Sequence, residues 1–346
     1  MTGRGRSQPD AEREDAERDS AERYRDAIRA GDRRSIARAI TLLESTRSDQ
    51  SQLGRAILEA LVPDTGGAIR VGITGSPGVG KSTFIEALGL RLIGAGHRVA
   101  VLAVDPSSPV TGGSILGDKT RMERLAQREE AFIRPSPSGG SLGGVAQRTR
   151  EAMMVCEAAG YDVVLVETVG IGQSEVTVAS MVDFFLVLLL PGSGDELQGI
   201  KKGVLELADA LVVNKADGDL QAAAERTRQE YQNALELIRP SSPSWTPRTQ
   251  LASSTQDEGI DRVWQTVLEH RRKLEASGEL QARRQEQARA WMWSLLDQEL
   301  RTAFREHPAV TAQIPRLERE VESLETTPVA AARTLLSLFA EIPEES

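Results

Sequence analysis

From position 69 to position 252 the chain repeats one pattern of apolar and polar positions. Short apolar runs at 69–74, 99–104, 162–167, 184–190, 210–213 and 248–252 are each followed by a polar or Gly-rich loop and then by helical spacing. Strands covered on both faces read as near-continuous apolar runs, and their alternation with helices predicts an α/β fold: a mostly parallel sheet with helices on both faces. The longest run, Phe184 to Leu190, ends at Pro191 and is far too short to cross a membrane. It reads as a buried parallel strand. Ahead of the sheet, Ile36 to Leu43 and Leu53 to Leu61 have the spacing of two amphipathic helices, with Leu53, Ile57 and Leu61 four residues apart. Met1 to about Arg25 alternates Arg with Asp and Glu and has almost no core-forming residues, which predicts a disordered or solvated helical arm. After Ser277 the pattern is helical to the end. There Trp291, Leu295, Leu296, Leu300 and Phe304 share a face, followed by Leu317, Val321 and Leu324 and by Leu335, Leu336 and Phe339. So many large apolar residues need a partner surface, which packing within the subunit or dimerisation would supply. The organisation expected is an N-terminal arm and helical extension at 1–66, a sheet domain at 67–276, and a C-terminal helical dimerisation region at 277–346.

Two motifs sit on this frame. Gly75-Ser76-Pro77-Gly78-Val79-Gly80-Lys81-Ser82 fits G-x-x-x-x-G-K-[ST], with Thr83 following it. In that pattern backbone N–H groups close around phosphate oxygens, the lysine reaches the β/γ phosphates and the Ser/Thr hydroxyl binds Mg²⁺. Its context is right, because a strand-like run precedes it and Phe84, Leu88 and Leu92 follow with helical spacing. The second motif, Asn214-Lys215-Ala216-Asp217, directly follows the apolar run 210–213. An asparagine amide and an acceptor-only carboxylate suit guanine, whose N1–H and exocyclic NH₂ both donate toward one side. Each motif has an ordinary alternative, a Gly-rich turn for the first and a surface turn for the second. Together they point to a guanine nucleoside triphosphate.

Other residues make sense around such a ligand. Asp105 and Glu167 end strand-like runs, and ligands of open α/β sheets bind at the carboxyl ends of strands, so both are candidates for a Mg²⁺ shell. Asp118, in a Gly-containing loop, is a further acidic candidate. After Glu167, Gly170 and Gly172 permit a mobile segment that could sense a γ-phosphate. Ser253-Ser254-Thr255 closes the last strand, where backbone N–H groups could donate to the base O6.

Composition narrows the field. The 346 residues carry a formal charge of −9 and are 40% hydrophobic, enough for a full core and poorly suited to a nucleic-acid surface, which needs clustered Lys and Arg. One cysteine, Cys156, excludes an internal disulfide and reads as a buried helix residue. His97, His270 and His307 are scattered, so a transition-metal site is not expected. The first 26 residues resemble neither a secretory signal nor a mitochondrial transit peptide, and a cytoplasmic protein is expected.

Four segments carry a resemblance: VDPSSPVTGGSILGDKTRM at 104–122, RPSPSGGSLGGVAQRTRE at 134–151, VETVGIGQSE at 166–175 and PGSGDELQGIKKG at 191–203. They are similar to the MeaB/ArgK/MMAA group, the GTPase chaperones of adenosylcobalamin-dependent methylmalonyl-CoA mutase and related acyl-CoA mutases. The similarity runs from about Ile36 to about Trp264, is weaker in the C-terminal tail and is absent from the first 25 residues. It implies a homodimeric P-loop GTPase in which Lys81 and Ser82 serve phosphate and Mg²⁺, and Asp105, Asp118 and Glu167 form the metal and switch shell. It implies that Asn214, Lys215 and Asp217 read guanine and that Ser253, Ser254 and Thr255 close on the base. Gly192 to Lys201 matches an additional switch that couples nucleotide state to the mutase, and Lys201 joins Lys81, Asp105 and Glu167 as candidate catalytic residues. Where the family often has Ser-Ala in the base-closing loop, this chain has Ser253-Ser254. Gln173 is the candidate water-positioning residue. The resemblance implies no cobalamin bound by this chain itself, and neither nucleic acid nor membrane as a partner. Three other readings share parts of the pattern: a nickel metallochaperone GTPase, a transport-associated kinase of the ArgK type, and an interaction protein with an inactive nucleotide site.

Overall fold

The computed structural model describes residues 8–104, 122–135, 142–168, 174–192, 202–238 and 242–340. The chain divides into two compact units, residues 1–285 and 286–346. In the first, seven strands form one sheet: β1 (Ile69–Gly75), β2 (Val99–Val104), β3 (Ala131–Arg134), β4 (Val163–Thr168), β5 (Phe184–Leu189), β6 (Ala210–Val213) and β7 (Arg248–Leu251). Their order is β3-β2-β4-β1-β5-β6-β7, and every pairing is parallel. Parallel neighbours require crossovers. These are supplied by α4 (Lys81–Gly94), α5 (Glu123–Ala126), α6 (Leu142–Ala158), α7 (Ser174–Ala179), α8 (Lys202–Leu207) and α9 (Gln221–Glu236), with α10 (Ile260–Ser277) following the last strand.

Alternate side chains of each strand feed different cores. Val71, Ile73, Val163, Leu165, Leu186, Leu188 and Val212 pack with Phe84, Ile85 and Leu88 of α4 and Val263 and Val267 of α10. Val164, Val166, Phe185, Val187 and Leu211 pack on the other face with Val155 and Cys156 of α6, Val178 of α7 and Tyr231 of α9. A strand read alone shows an unbroken apolar run because both of its faces are covered. The six expected strands are all present to within a residue at their ends. β3 is the seventh. It has four residues, lies at the sheet edge and pairs only with β2, so its apolar run was too short to stand out. Cys156 is buried in its helix, and burial pushes its thiol pKa up.

Ahead of the sheet lie α1 (Gln8–Arg29), α2 (Arg33–Leu43) and α3 (Ser48–Leu61). Asp32 caps α2 by accepting from the Ser35 N–H at 2.9 Å. The expected arm is helical from Gln8, with Arg18 and Asp19 exposed, but its end is docked where solvation was expected: Ala21 is buried and Tyr24 packs against the same core, as does Ile28 just beyond the arm, so three apolar positions spaced i, i+3 and i+7 are enough to seat the helix end.

The amino ends of the strands are tied off by polar groups. Buried Asp183, just before β5, accepts from Arg284 Nε and Nη2 at 2.8 and 2.6 Å and from the Arg70 N–H at 3.0 Å. Arg284 belongs to α11 (Glu279–Glu306). Buried Asp209, just before β6, accepts from the Phe185 N–H at 2.8 Å. The carboxyl ends remain for the site.

In the second unit, α11 continues and is followed by α12 (Pro308–Glu322) and α13 (Pro328–Ala340). Phe339 meets the Phe304 ring at 5.4 Å and the His307 ring at 5.5 Å, and Val310, Leu317 and Ala331 are buried. The helical expectation for this region is met. Its apolar residues are unevenly covered, with Met292, Trp293, Leu296, Leu300, Leu324, Val329 and Leu336 exposed.

Candidate nucleotide site

The glycine-rich loop joins the carboxyl end of β1 to the first turn of α4, so Lys81 and Ser82 open a fourteen-residue helix. Backbone N–H groups at such a helix start lack intrahelical partners and point, with the positive end of the helix dipole, at the space above the sheet. Gly80 caps the helix at φ +92°, where a side chain is strained, and a Cβ there would lie 2.9 Å from Asn214 Nδ2. Lys81 Nζ donates to Gly75 O at 2.8 Å and to Ser76 O at 3.3 Å, which folds the ammonium back over its own loop.

Glu167, 6% exposed, lies in β4 beside Ile73 of β1 and Ala103 of β2. It accepts from Ser82 Oγ at 3.1 Å. One residue further toward the carboxyl edge, the buried hydroxyls of Thr168 and Thr74 are hydrogen-bonded at 2.7 Å, locking β4 to β1 where the loop begins. The Ser82 hydroxyl and the Glu167 carboxylate are both hard oxygen donors, the class that Mg²⁺ takes, so the residues present fit that ion. Asp105, Asp118, Gln173 and Lys201 lie outside the described residues, as do Gly170 and Gly172.

Two strands away, the second motif is built into the same edge. Asn214 is 1% exposed, and its amide joins three segments: Nδ2 donates to Val79 O at 2.8 Å, while Oδ1 accepts from Ser254 Oγ at 2.8 Å and from the Ser254 N–H at 3.2 Å. Lys215, at φ +60°, lays its Nζ 2.8 Å from Gly78 O. The Ala216 N–H donates to Ala252 O at 3.0 Å. Asp217 accepts a short hydrogen bond from Ser253 Oγ and a longer one, 3.4 Å, from Thr255 Oγ1. The phosphate loop, the Asn-Lys-Ala-Asp segment and Ser253–Thr255 therefore form one connected unit.

Sequence reasoning did not reach the Thr74–Thr168 pair or the bond from Asn214 to Val79. The second joins residues 135 positions apart, which no local pattern encodes.

A parallel sheet with this loop, acidic strand end and Asn-Lys-Ala-Asp segment on one edge defines a P-loop GTPase. A family model described as "Methylmalonyl Co-A mutase-associated GTPase MeaB" matches residues 36–309, and the chain belongs to that family. A protein of Caulobacter vibrioides named "Putative GTPase" is 58% identical over 90% of this chain and 95% of its own length. A mouse protein named "Methylmalonic aciduria type A homolog, mitochondrial" is 48% identical over 89% of this chain and 77% of its own. Among solved structures, that of a LAO/AO transport system kinase is similar at a TM-score of 0.74 and 38% identity, covering 93% of this chain and 98% of that one. No helix among the described residues is long and apolar enough to cross a membrane.

Proposed function

We propose that this GTPase is a chaperone of an adenosylcobalamin-dependent acyl-CoA mutase such as methylmalonyl-CoA mutase, gating the loading of the mutase cofactor and protecting or reactivating the enzyme. The observation that carries the reading is the match to the mutase-associated family over residues 36–309, which spans the sheet and extends into the C-terminal helices. In this reading the N–H groups of the loop 75–82 hold the phosphates, and the Lys81 ammonium exchanges the Gly75 and Ser76 carbonyls for β- and γ-phosphate oxygens. Ser82 and Glu167 hold Mg²⁺, with Asp105 and Asp118 as further members of its shell. The ion they would hold would supply positive charge against the charge that develops on the phosphates. Asp217 accepts from the guanine N1–H and NH₂, and Ser253, Ser254 and Thr255 close on the base.

The segments 105–118, 167–175 and 192–201 are switches that differ between the GTP and GDP states, and Lys201 couples the last of them to the mutase. A GTPase with no fixed water-positioning group hydrolyses slowly alone, and a partner that orders the switches accelerates it. The exposed Leu296, Leu300 and Leu336 support a homodimer built through the C-terminal helices. The chain acts in the cytoplasm and binds no cobalamin itself. Steady-state phosphate release with and without the cognate mutase tests the reading: stimulation is expected, and a wild-type protein unmoved by any such mutase rejects the chaperone role. The likeness to a LAO/AO transport system kinase favours a second reading, a transport-associated kinase. Transfer of labelled γ-phosphate to a protein acceptor would support it, and release as free phosphate would oppose it.

A further inference from the structure

The turn after β7 bears Ser253, Ser254 and Thr255, and its shape is fixed from within and from outside. Within it, the Ser253 N–H donates to Glu258 O at 2.9 Å, the Glu258 N–H returns to Ser253 O at 3.0 Å, and the Gln256 N–H reaches Ser253 Oγ at 3.2 Å. Between these anchors Asp257 sits at φ +58°, in the left-handed region. Asp enters this region more readily than most residues with a side chain, at a modest cost that nearby contacts offset.

From outside, Asn214 and Asp217 hold Ser253–Thr255 as described above, and a guanidinium holds Asp257. Arg91 Nε donates to Asp257 Oδ1 at 2.8 Å and Nη2 donates to Asp257 O at 2.7 Å, so the fork holds the side chain and the main chain of that residue together. Nη1 makes a short bond to the Asp261 carboxylate in the first turn of α10. Arg91 lies on α4, ten residues after Lys81 and about 15 Å along the helix at its usual rise. The helix that starts at the glycine-rich loop thus grips, near its far end, the turn after β7.

We propose that Arg91 is a positioning residue for guanine recognition, acting through Asp257 to hold Ser253 where it orients the Asp217 carboxylate. The proposal rests on the reading that Asp217 and Ser253–Thr255 form the base site. Magnitudes separate this role from plain stabilisation. The side chains of Arg91, Asp257 and Asp261 are 32%, 55% and 70% exposed, and ion pairs so open to water add little to global stability. The geometry they impose on a short loop is a different matter, because the carboxylate must meet two N–H groups of the base at once. Lysine at 91 would keep the charge and lose the fork.

The test titrates GDP and IDP, which lacks the exocyclic amine, against the wild type, Arg91→Ala, Arg91→Lys and Asp217→Ala, with melting temperature recorded for each. Both Arg91 variants should bind GDP about three- to tenfold more weakly, the scale of one lost hydrogen bond. Their preference for GDP over IDP should fall at least twofold, with melting temperature nearly unchanged. Asp217→Ala should lose that preference outright. A wild-type preference in both Arg91 variants, beside its loss in Asp217→Ala, overturns the role of Arg91 and leaves the base site standing. Equal weakening toward GDP and IDP with a lowered melting temperature also overturns it, as a merely structural contact. A preference that survives in Asp217→Ala removes the base-site reading itself, and the proposal with it.

Discussion

Asp217→Asn is the sharpest perturbation of the candidate base site, because it changes charge and hydrogen-bond direction without changing shape. In the wild type the carboxylate is oriented by Ser253 Oγ and Thr255 Oγ1, hydroxyls that can donate equally well to an amide oxygen. The variant amide will therefore turn its oxygen toward Ser253 and its NH₂ toward the base. Guanine presents two donors there, N1–H and the exocyclic NH₂, and each buried N–H left without an acceptor costs about 1–3 kcal/mol. Losing both costs roughly 2–6 kcal/mol. If the amide flips to serve one donor, about 2 kcal/mol remains, so GDP should bind about 30-fold more weakly. Xanthine presents N1–H beside a carbonyl oxygen, which matches an amide and repels a carboxylate, so XDP should gain affinity in the variant. Competition titrations of a fluorescent nucleotide with GDP and XDP read both changes. A GDP affinity within threefold of wild type, with no gain for XDP, would remove Asp217 from the base site.

Three further outcomes are expected. Glu167→Gln keeps an acceptor for Ser82 Oγ but removes the charge, so turnover should fall at least about tenfold and half-maximal activity should need more Mg²⁺; a wild-type Mg²⁺ titration would contradict the metal role. Glu151 is buried in α6, and burial foremost pushes its pKa up to about 6, against the Gln147 hydrogen bond and the nearby Arg148 and Arg55. Because the folded state then holds more protons than the unfolded one between about pH 4.5 and 6, stability falls as pH rises through that window and stays lowered above it, by about 2 kcal/mol. Glu151→Gln should raise the melting temperature by a few degrees at pH 7.5 and by much less at pH 4.5, and an equal shift at both would refute the burial argument. Leu300→Glu places a charge on the exposed apolar face of α11; light scattering should find a dimeric wild type and a monomeric variant, whereas a wild type already monomeric at micromolar concentration sinks the dimer reading.

The parts of this site that can be read from sequence are those whose chemistry is contiguous in the chain. Residues 75–82 are legible because strand, phosphate loop and helix follow one another without a gap, and 214–217 because the amide and carboxylate proposed to read guanine stand within four residues. The order of the strands cannot be read in this way. It is the neighbouring of β4 and β1 that brings Glu167 to Ser82 across 85 positions, and the approach of the segment after β6 to the phosphate loop that lets Asn214 reach Val79. The same limit explains the two local surprises: four residues at a sheet edge carry too little apolar signal to mark β3, and a charge-rich α1 hides the three positions that dock it. Arg91 lies further still from any pattern, since its three acceptors are 166 and 170 positions away and it stands alone among Leu88, Leu90, Leu92 and Ile93 in an apolar stretch of helix. What makes it legible in the fold is its reach: among the described hydrogen bonds, the groups that meet both the carboxylate and the carbonyl of Asp257 belong to the helix that begins at the phosphate loop.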